Sequence, residues 1–330
     1  LASAAAVIAP TIGVLIVARL VQGFSGAAAT VIARAIVTDL ARGQEAARAM
    51  NVLLVILGIA PIAAPLLGGL FAETLGWRGL FGIVLALGAI MLVLALAVVK
   101  ETYPREMRAE ARLAHRAGAS PLRPLASRAY IGYTIAFSFV FGMMMAYISG
   151  SPFVFQRMAG LSEFEYGLVL GAGAVSMVIA TGAAARQNTR VSTQGLLATG
   201  LSAVLCSVVI LAVLVFAGAH PLSFVAPVLP MAAGVGLVLG NAAALDVVPP
   251  AASGSASALL GAVQYAIAAL VTPLVSVAGE MSAIPLVVVM LACAVIASAG
   301  WLFARRAAQK GVSSGERIGA NLTPPGGRSR

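Results

Sequence analysis

Charge is scarce in this chain. Only 10% of its 330 residues are Asp, Glu, Lys or Arg, where a soluble domain carries about a quarter. Acids are the scarcer sign, 11 against 21 basic residues, and ten of the 11 fall in loops, a polar linker or the tail. The remaining acid, Asp246, stands at the end of an apolar stretch beside Pro249 and Pro250. There it either lines an inner mouth or is simply solvated. The two cysteines, Cys206 and Cys293, both lie inside apolar stretches. They read as small packing residues rather than a disulfide or a metal site. Neither histidine, His115 or His220, has a partner at ligand spacing, so no metal and no other cofactor is expected. No nucleophile stands beside a histidine, no carboxylates pair inside an apolar stretch, and there is no phosphate loop. These absences leave no catalytic constellation, and an enzyme is not expected.

What the chain has is long apolar runs. Hydrophobic residues make up 61% of it, and its mean hydropathy is +1.01. Nine stretches, 12–36, 50–72, 79–99, 130–153, 165–185, 195–217, 222–246, 254–277 and 284–304, stand apart between polar breaks. Each is close to the length that crosses a bilayer as a helix, about 20 residues. A tenth, 1–10, is cut short by the first residue. Lipid offers no hydrogen bonds to a backbone, so such runs must be helical. The fold class expected is an all-α polytopic membrane protein.

The formal net charge of +10 invites a nucleic-acid reading, but its placement argues otherwise. If the first full helix ends in the cytoplasm, 18 of the 21 basic residues fall on the cytoplasmic side. Arg78 and Arg157 fall outside, and Arg19 lies within a helix. This positive-inside pattern sets a multi-pass orientation with a cytoplasmic C-terminus. No cluster of aromatics and base-reading side chains accompanies the charge, so no nucleic-acid partner is expected.

Four regions follow. Residues 1–99 form a partial N-terminal bundle, and 100–128, with seven basic and three acidic residues, form a cytoplasmic linker. Residues 129–305 form a six-helix bundle, and 306–330 form a Gly/Ser/Pro-rich tail that reads as disordered. The early bundle holds three full helices and a stub against six after the linker, and residue 1 is Leu. On a six-plus-six plan, about two and a half helices are expected to be missing from the N-terminal side.

Function must lie in the few polar and small residues within the membrane. Arg19 sits seven residues into its stretch, roughly 10 Å deep at 1.5 Å per residue. A cation there marks a pathway or a buried partner; the plainer account is that it snorkels to the outer surface. Residues 19, 22, 23 and 26 share one helix face, so Gln22 joins Arg19 while Gly23 and Gly26 admit a close neighbour. Gly58, Pro61, Pro65, Gly68 and Gly69 punctuate the next helix. They imply a bend and a smooth contact face, or mere tolerance of kinks. Tyr147, Ser151, Phe155 and Gln156 close the helix after the linker, as a substrate-facing cluster or an aromatic belt. Asn241, Ser257, Gln264 and Tyr265 are further cavity candidates, though small residues with serine also serve plain interhelical packing.

These segments resemble the major facilitator superfamily, and within it the Bcr/CflA (bicyclomycin-resistance type) multidrug efflux family. Arg19-Leu20-Val21-Gln22-Gly23-Phe24-Ser25-Gly26 resembles the superfamily's fourth-helix motif, whose arginine is implicated in proton transfer. Gly58-Ile59-Ala60-Pro61 through Pro65 to Gly68-Gly69 is similar to the fifth-helix antiporter motif, with Ala64-Pro65 where Gly-Pro is usual. Ser151-Pro152-Phe153-Val154-Phe155-Gln156 with Gly160-Leu161-Ser162, and Gly254-Ser255-Ala256-Ser257 through Gly261 to Gln264, point to the narrower family. The resemblance covers roughly residues 1–305 and implies a chain that starts in the third helix and ends after the twelfth. It implies a monomeric bacterial inner-membrane antiporter that exports drug-like, amphipathic small molecules in exchange for protons. In that reading Arg19 and Gln22 belong to the proton-coupling region, and the Gly58–Gly69 helix is the gating and packing element. Tyr147, Ser151, Phe155, Gln156, Asn241, Ser257, Gln264 and Tyr265 line the substrate cavity. A transporter of one metabolite, or a fragment that does not transport, are the alternatives. Arginine stays protonated at any ordinary pH, so Arg19 acts on a neighbour rather than carrying the proton itself.

Overall fold

A computed structural model of the chain describes residues 1–40, 44–98, 123–187, 192–240, 253–276 and 282–320. Every regular element among them is helical. We number the α-helices α1 (Ala2–Val7), α2 (Ile12–Leu40), α3 (Gln44–Val98), α4 (Arg128–Pro152), α5 (Glu163–Gln187), α6 (Thr193–Phe216), α7 (Val225–Leu239), α8 (Ser253–Val271) and α9 (Ile284–Ala320). Seven helical spans among the described residues are long and apolar enough to cross a membrane.

The boundaries follow from capping chemistry. Ser127 caps α4 by accepting from the Tyr130 amide, and Ser192 caps α6 by accepting from the Gly195 amide. Ser162 and Glu165 form a reciprocal capping box at the start of α5. The Ser162 amide donates to Glu165 Oε2 at 2.8 Å, and the Glu165 amide donates to Ser162 Oγ at 3.2 Å. Gly160, at φ 75°, makes the preceding turn. His220 also serves a boundary. Its Nδ1 accepts from the Leu222 amide at 3.3 Å, opening a 3₁₀ turn, Pro221–Phe224, ahead of α7.

The break expected between 72 and 79 falls at Gly76, whose φ of 61° and ψ of 178° no helix contains, so α3 is two helical arms that meet there. Two helices run further than expected. The stretch expected at 130–153 runs on through a π-helical turn, Phe153–Met158. The last helix continues to Ala320, past the apolar stretch that ends at 304. Residues 99–122, most of the expected linker, lie outside the described residues.

The chain divides into two compact units. The first is Leu1–Ala119 with Leu161–Val175, and the second is Ser120–Gly160 with Ser176–Arg330. The first half of α5 thus groups with the early helices.

Within the second unit the helices approach through glycine. A β-carbon on Gly132 of α4 would lie 2.6 Å from the Gly300 carbonyl oxygen of α9. One on Gly234 of α7 would lie 2.6 Å from the Gly200 carbonyl oxygen of α6. Water drives no association inside a bilayer, so contact at backbone range is what holds such helices together. Tyr130, Val140, Met143, Val204, Val208 and Met290 fill the space between them and are fully buried. Large apolar side chains on the outside, Leu87, Met91, Val93 and Leu96 among them, are more than half exposed, as lipid-facing surface must be.

Candidate functional site

The first unit holds the one arginine that sequence places within a membrane helix. Arg19 Nη1 donates to Gln22 Oε1 at 2.8 Å. Gln22 Nε2 in turn donates to Ser3 Oγ of α1 at 3.0 Å. The Arg19 guanidinium carbon also lies 4.4 Å from the centre of the Phe81 ring, on the second arm of α3. Three helices therefore orient one cation. The three-residue spacing of Arg19 and Gln22 already places them on one face. Ser3 and Phe81 escape a reading by spacing, because they come from other segments.

The aromatic contact extends further. Phe81 meets Trp77 edge-on at 5.9 Å, and Trp77 lies beneath Arg78 at 4.1 Å. Arg78 Nη2 reaches the Ala9 carbonyl at 3.4 Å. Arg19 and Arg78 thus flank one pair of rings, each in cation–π geometry.

The motif glycines divide. A β-carbon on Gly23, Gly26 or Gly68 would meet no heavy atom within 4 Å. Gly69 is different: a β-carbon there would lie 2.9 Å from the Glu163 carbonyl oxygen and 3.3 Å from Phe164 Cα. Gly58, Pro61 and Pro65 stand in α3, but their packing lies outside the described residues.

In the second unit Tyr147, Ser151 and Phe155 turn inward and are buried. Tyr147 and Phe155 border a small apolar void of about 10 Å³, with Leu211, Phe224, Val228 and Leu286 around it. Gln156 and Gln264 are half-buried. Tyr265 is exposed and meets Phe141 edge-on at 5.1 Å. Asn241 and the Ser257 side chain lie outside the described residues. Three polar contacts that sequence reasoning missed join helices here. Tyr130 Oη donates to the Ala256 carbonyl at 2.7 Å, Gln194 Nε2 donates to Tyr133 Oη at 2.6 Å, and Ser176 Oγ donates to the Leu229 carbonyl at 2.8 Å. No group of three or more metal-binding side chains occurs among the described residues.

Comparison with known proteins places this arrangement. The chain is 29% identical over 300 residues to an MFS-type transporter of Bacillus subtilis (strain 168), YdgK, covering 88% of this chain and 73% of that one. It is 28% identical over 294 residues to a bicyclomycin resistance protein homologue of Haemophilus influenzae, covering 86% and 72%. In fold it is similar to a bacterial homologue of the human lysosomal transporter Spinster, solved inward-facing and unoccupied. That match has a TM-score of 0.62 and 16% identity, and it covers 93% of this chain and 80% of the other. The pattern of the Major Facilitator Superfamily matches residues 1–273; the chain belongs to that superfamily and is a multi-pass membrane transporter of small molecules, not an enzyme.

Proposed function

We propose that this transporter exports drug-like, amphipathic compounds across a bacterial inner membrane in exchange for protons, as a member of the Bcr/CflA branch. The observation that carries the reading is the oriented cation at Arg19, in an apolar helix that the sequence reads as membrane-spanning. Arginine does not titrate in the working range. Its contribution to coupling is electrostatic: it favours a negative charge beside it, and a proton and a substrate can compete over that charge. The resemblance of the Arg19–Gly26 segment to the fourth-helix motif and the bicyclomycin-resistance relative both support this reading. The contact of Gly69 with the start of α5 is the sealing element of the cycle, and α3 is the helix that moves against it. Gln156, Gln264 and Tyr265 offer the polar and aromatic contacts of the cavity, and Tyr147, Ser151 and Phe155 belong to its lining as well.

The test is drug resistance conferred on an efflux-deficient bacterium. Arg19→Ala is expected to abolish resistance and drug-driven proton release while membrane insertion stays intact. Normal resistance from a well-expressed Arg19→Ala protein would remove Arg19 from coupling.

A further inference from the structure

We propose that Ser138 of α4 is the hydrogen-bond partner of Gln264 of α8 in the conformation of the transport cycle opposite to the one in this structure. There it draws the Gln264 amide away from the cargo. This rests on the place given to Gln264 in the cavity above and deepens it.

Two contacts fix how α4 and α8 face each other. The Tyr130 phenol reaches the Ala256 carbonyl at 2.7 Å. A β-carbon on Gly142 would lie 3.0 Å from Ile267 Cγ2 and 3.8 Å from the Ala268 nitrogen. Twelve residues separate Tyr130 from Gly142, and twelve separate Ala256 from Ala268. The helices therefore run parallel and in step, with Thr134 level with Leu260 and Ser138 level with Gln264. Residues four apart share a helix face, so Thr134 and Ser138 lie on the face of α4 between the two contacts. Leu260 and Ala268, one turn to either side of Gln264, are buried, and α8 packs chiefly against α4. Gln264 thus starts from the face that α8 turns to α4.

Ser138 is fully buried, and its hydroxyl has no hydrogen-bond partner. A serine or threonine inside a helix can donate to the carbonyl one turn back. Thr181, Thr199 and Ser298 do so, to the carbonyls of Met177, Gly195 and Ala294 at 2.8, 2.9 and 2.8 Å. Ser138 does not. A buried hydroxyl left unpaired is costly, and folded chains keep few of them. Level with it stands an amide on a flexible stem, half-buried and held by no hydrogen bond among the described residues. Gln264 offers both an acceptor and a donor, so it can satisfy Ser138 in either sense. With the pair open, as in this structure, the amide serves the cargo. When the pair closes, the cargo loses that contact. A bond made in one of two conformations biases the equilibrium between them.

The test uses the full chain. Melting in detergent, without cargo, is measured for wild type, Ser138→Ala, Gln264→Leu and the double variant. Removing one partner of a buried pair strands the other, whereas removing both does not. In the Gln264→Leu background Ser138→Ala is therefore expected to raise the melting temperature by about 1–3 °C, a gain it does not give in the wild-type background. Equal effects of Ser138→Ala in the two backgrounds overturn the inference. Gln264→Asn, whose amide falls one methylene short, replaces Gln264→Leu if that variant fails to fold. Ethidium export is then followed in proteoliposomes. Without its partner at 138 the amide stays with the dye, so Ser138→Ala should lower both KM and kcat. Each should fall by about two- to tenfold, the worth of one hydrogen bond. A serine that only packs would move neither. Thr134→Val, level with the apolar Leu260, is the control and should keep both constants. Unchanged KM and kcat in Ser138→Ala also overturn the inference. Non-additive melting in a chain that exports no ethidium leaves the Ser138–Gln264 pair standing and refutes the transport reading for this class of cargo.

Discussion

Gly69 lies so close to Glu163 that a β-carbon on it would stand 2.9 Å from the glutamate's carbonyl oxygen. The obstacle is backbone, at a helix start pinned by the Ser162–Glu165 capping box, so it cannot swing aside as a side chain would. Gly69→Ala should cost about 1–3 kcal/mol of stability as an overpacked contact and lower export by interfering with the proposed seal. Gly68→Ala, whose added carbon meets nothing within 4 Å, is the matched control. Thermal unfolding in detergent and resistance in cells read both variants. Equal behaviour of the two would show that the contact is not tight in the working protein.

Gly76 turns α3 with backbone angles that a residue with a side chain rarely adopts. No heavy atom lies within 4 Å of where its β-carbon would be, so the demand is conformational rather than steric. Gly76→Ala should destabilise by about 1–3 kcal/mol, the usual cost of a sparsely populated backbone region. Gly82→Ala, in the helical arm beyond the break and equally free of neighbours, should be neutral or stabilising by about 0.5–1 kcal/mol. Melting temperatures that fall alike in both would argue against a fixed break at 76.

The helices are legible in the sequence because lipid imposes a length and a composition on them. The runs at 165–185 and 195–217 became Glu163–Gln187 and Thr193–Phe216, extended by the cap residues around them. What hydropathy does not encode is how a run ends. The single-residue break at Gly76 stands in a polar hexapeptide, Glu73 to Arg78, that reads as a loop. The extension of α9 past Arg305 runs on through Gly311 and Ser313-Ser314-Gly315, residues across which intrinsic propensity does not carry a helix. Side-chain direction is less legible still. Tyr147, Ser151 and Phe155 carry the composition of a cavity wall, yet they point into the second unit, because their facing depends on where α6, α7 and α9 stand. Arg19 with Gln22 was readable from spacing alone; Phe81, Ser3 and the approach of Gly69 to Glu163 required three-dimensional contact.

Tyr130 joins the start of α4 to α8 through a 2.7 Å hydrogen bond from its phenol to the Ala256 carbonyl. The ring is fully buried, so Tyr130→Phe removes the hydroxyl and keeps the packing. The expected loss is about 0.5–1.5 kcal/mol, the net worth of one intramolecular hydrogen bond. Tyr130→Ala should cost more, roughly 3–5 kcal/mol, because it also leaves a cavity. A Phe variant that melts with the wild type would indicate that the phenol finds an equal partner elsewhere.

Orientation offers a test that needs no substrate. With 18 of 21 basic residues on one side of the alternating segments, the positive-inside rule puts the segments around Arg42, Arg112 and Arg305 in the cytoplasm. Arg78 and Trp77, at the break in α3, then fall on the outer side. A green fluorescent reporter fused after Arg330 matures only in the cytoplasm and is expected to fluoresce. Alkaline phosphatase fused at the same point folds only outside and should stay inactive. An impermeant thiol reagent should label a cysteine placed at Glu73 from outside intact cells, but not one placed at Arg112. Labelling with the opposite pattern would invert the whole assignment, since a single reversal of side propagates through every following helix. It would also place the Gly69–Glu163 contact on the cytoplasmic side, making the proposed seal an inner gate rather than an outer one.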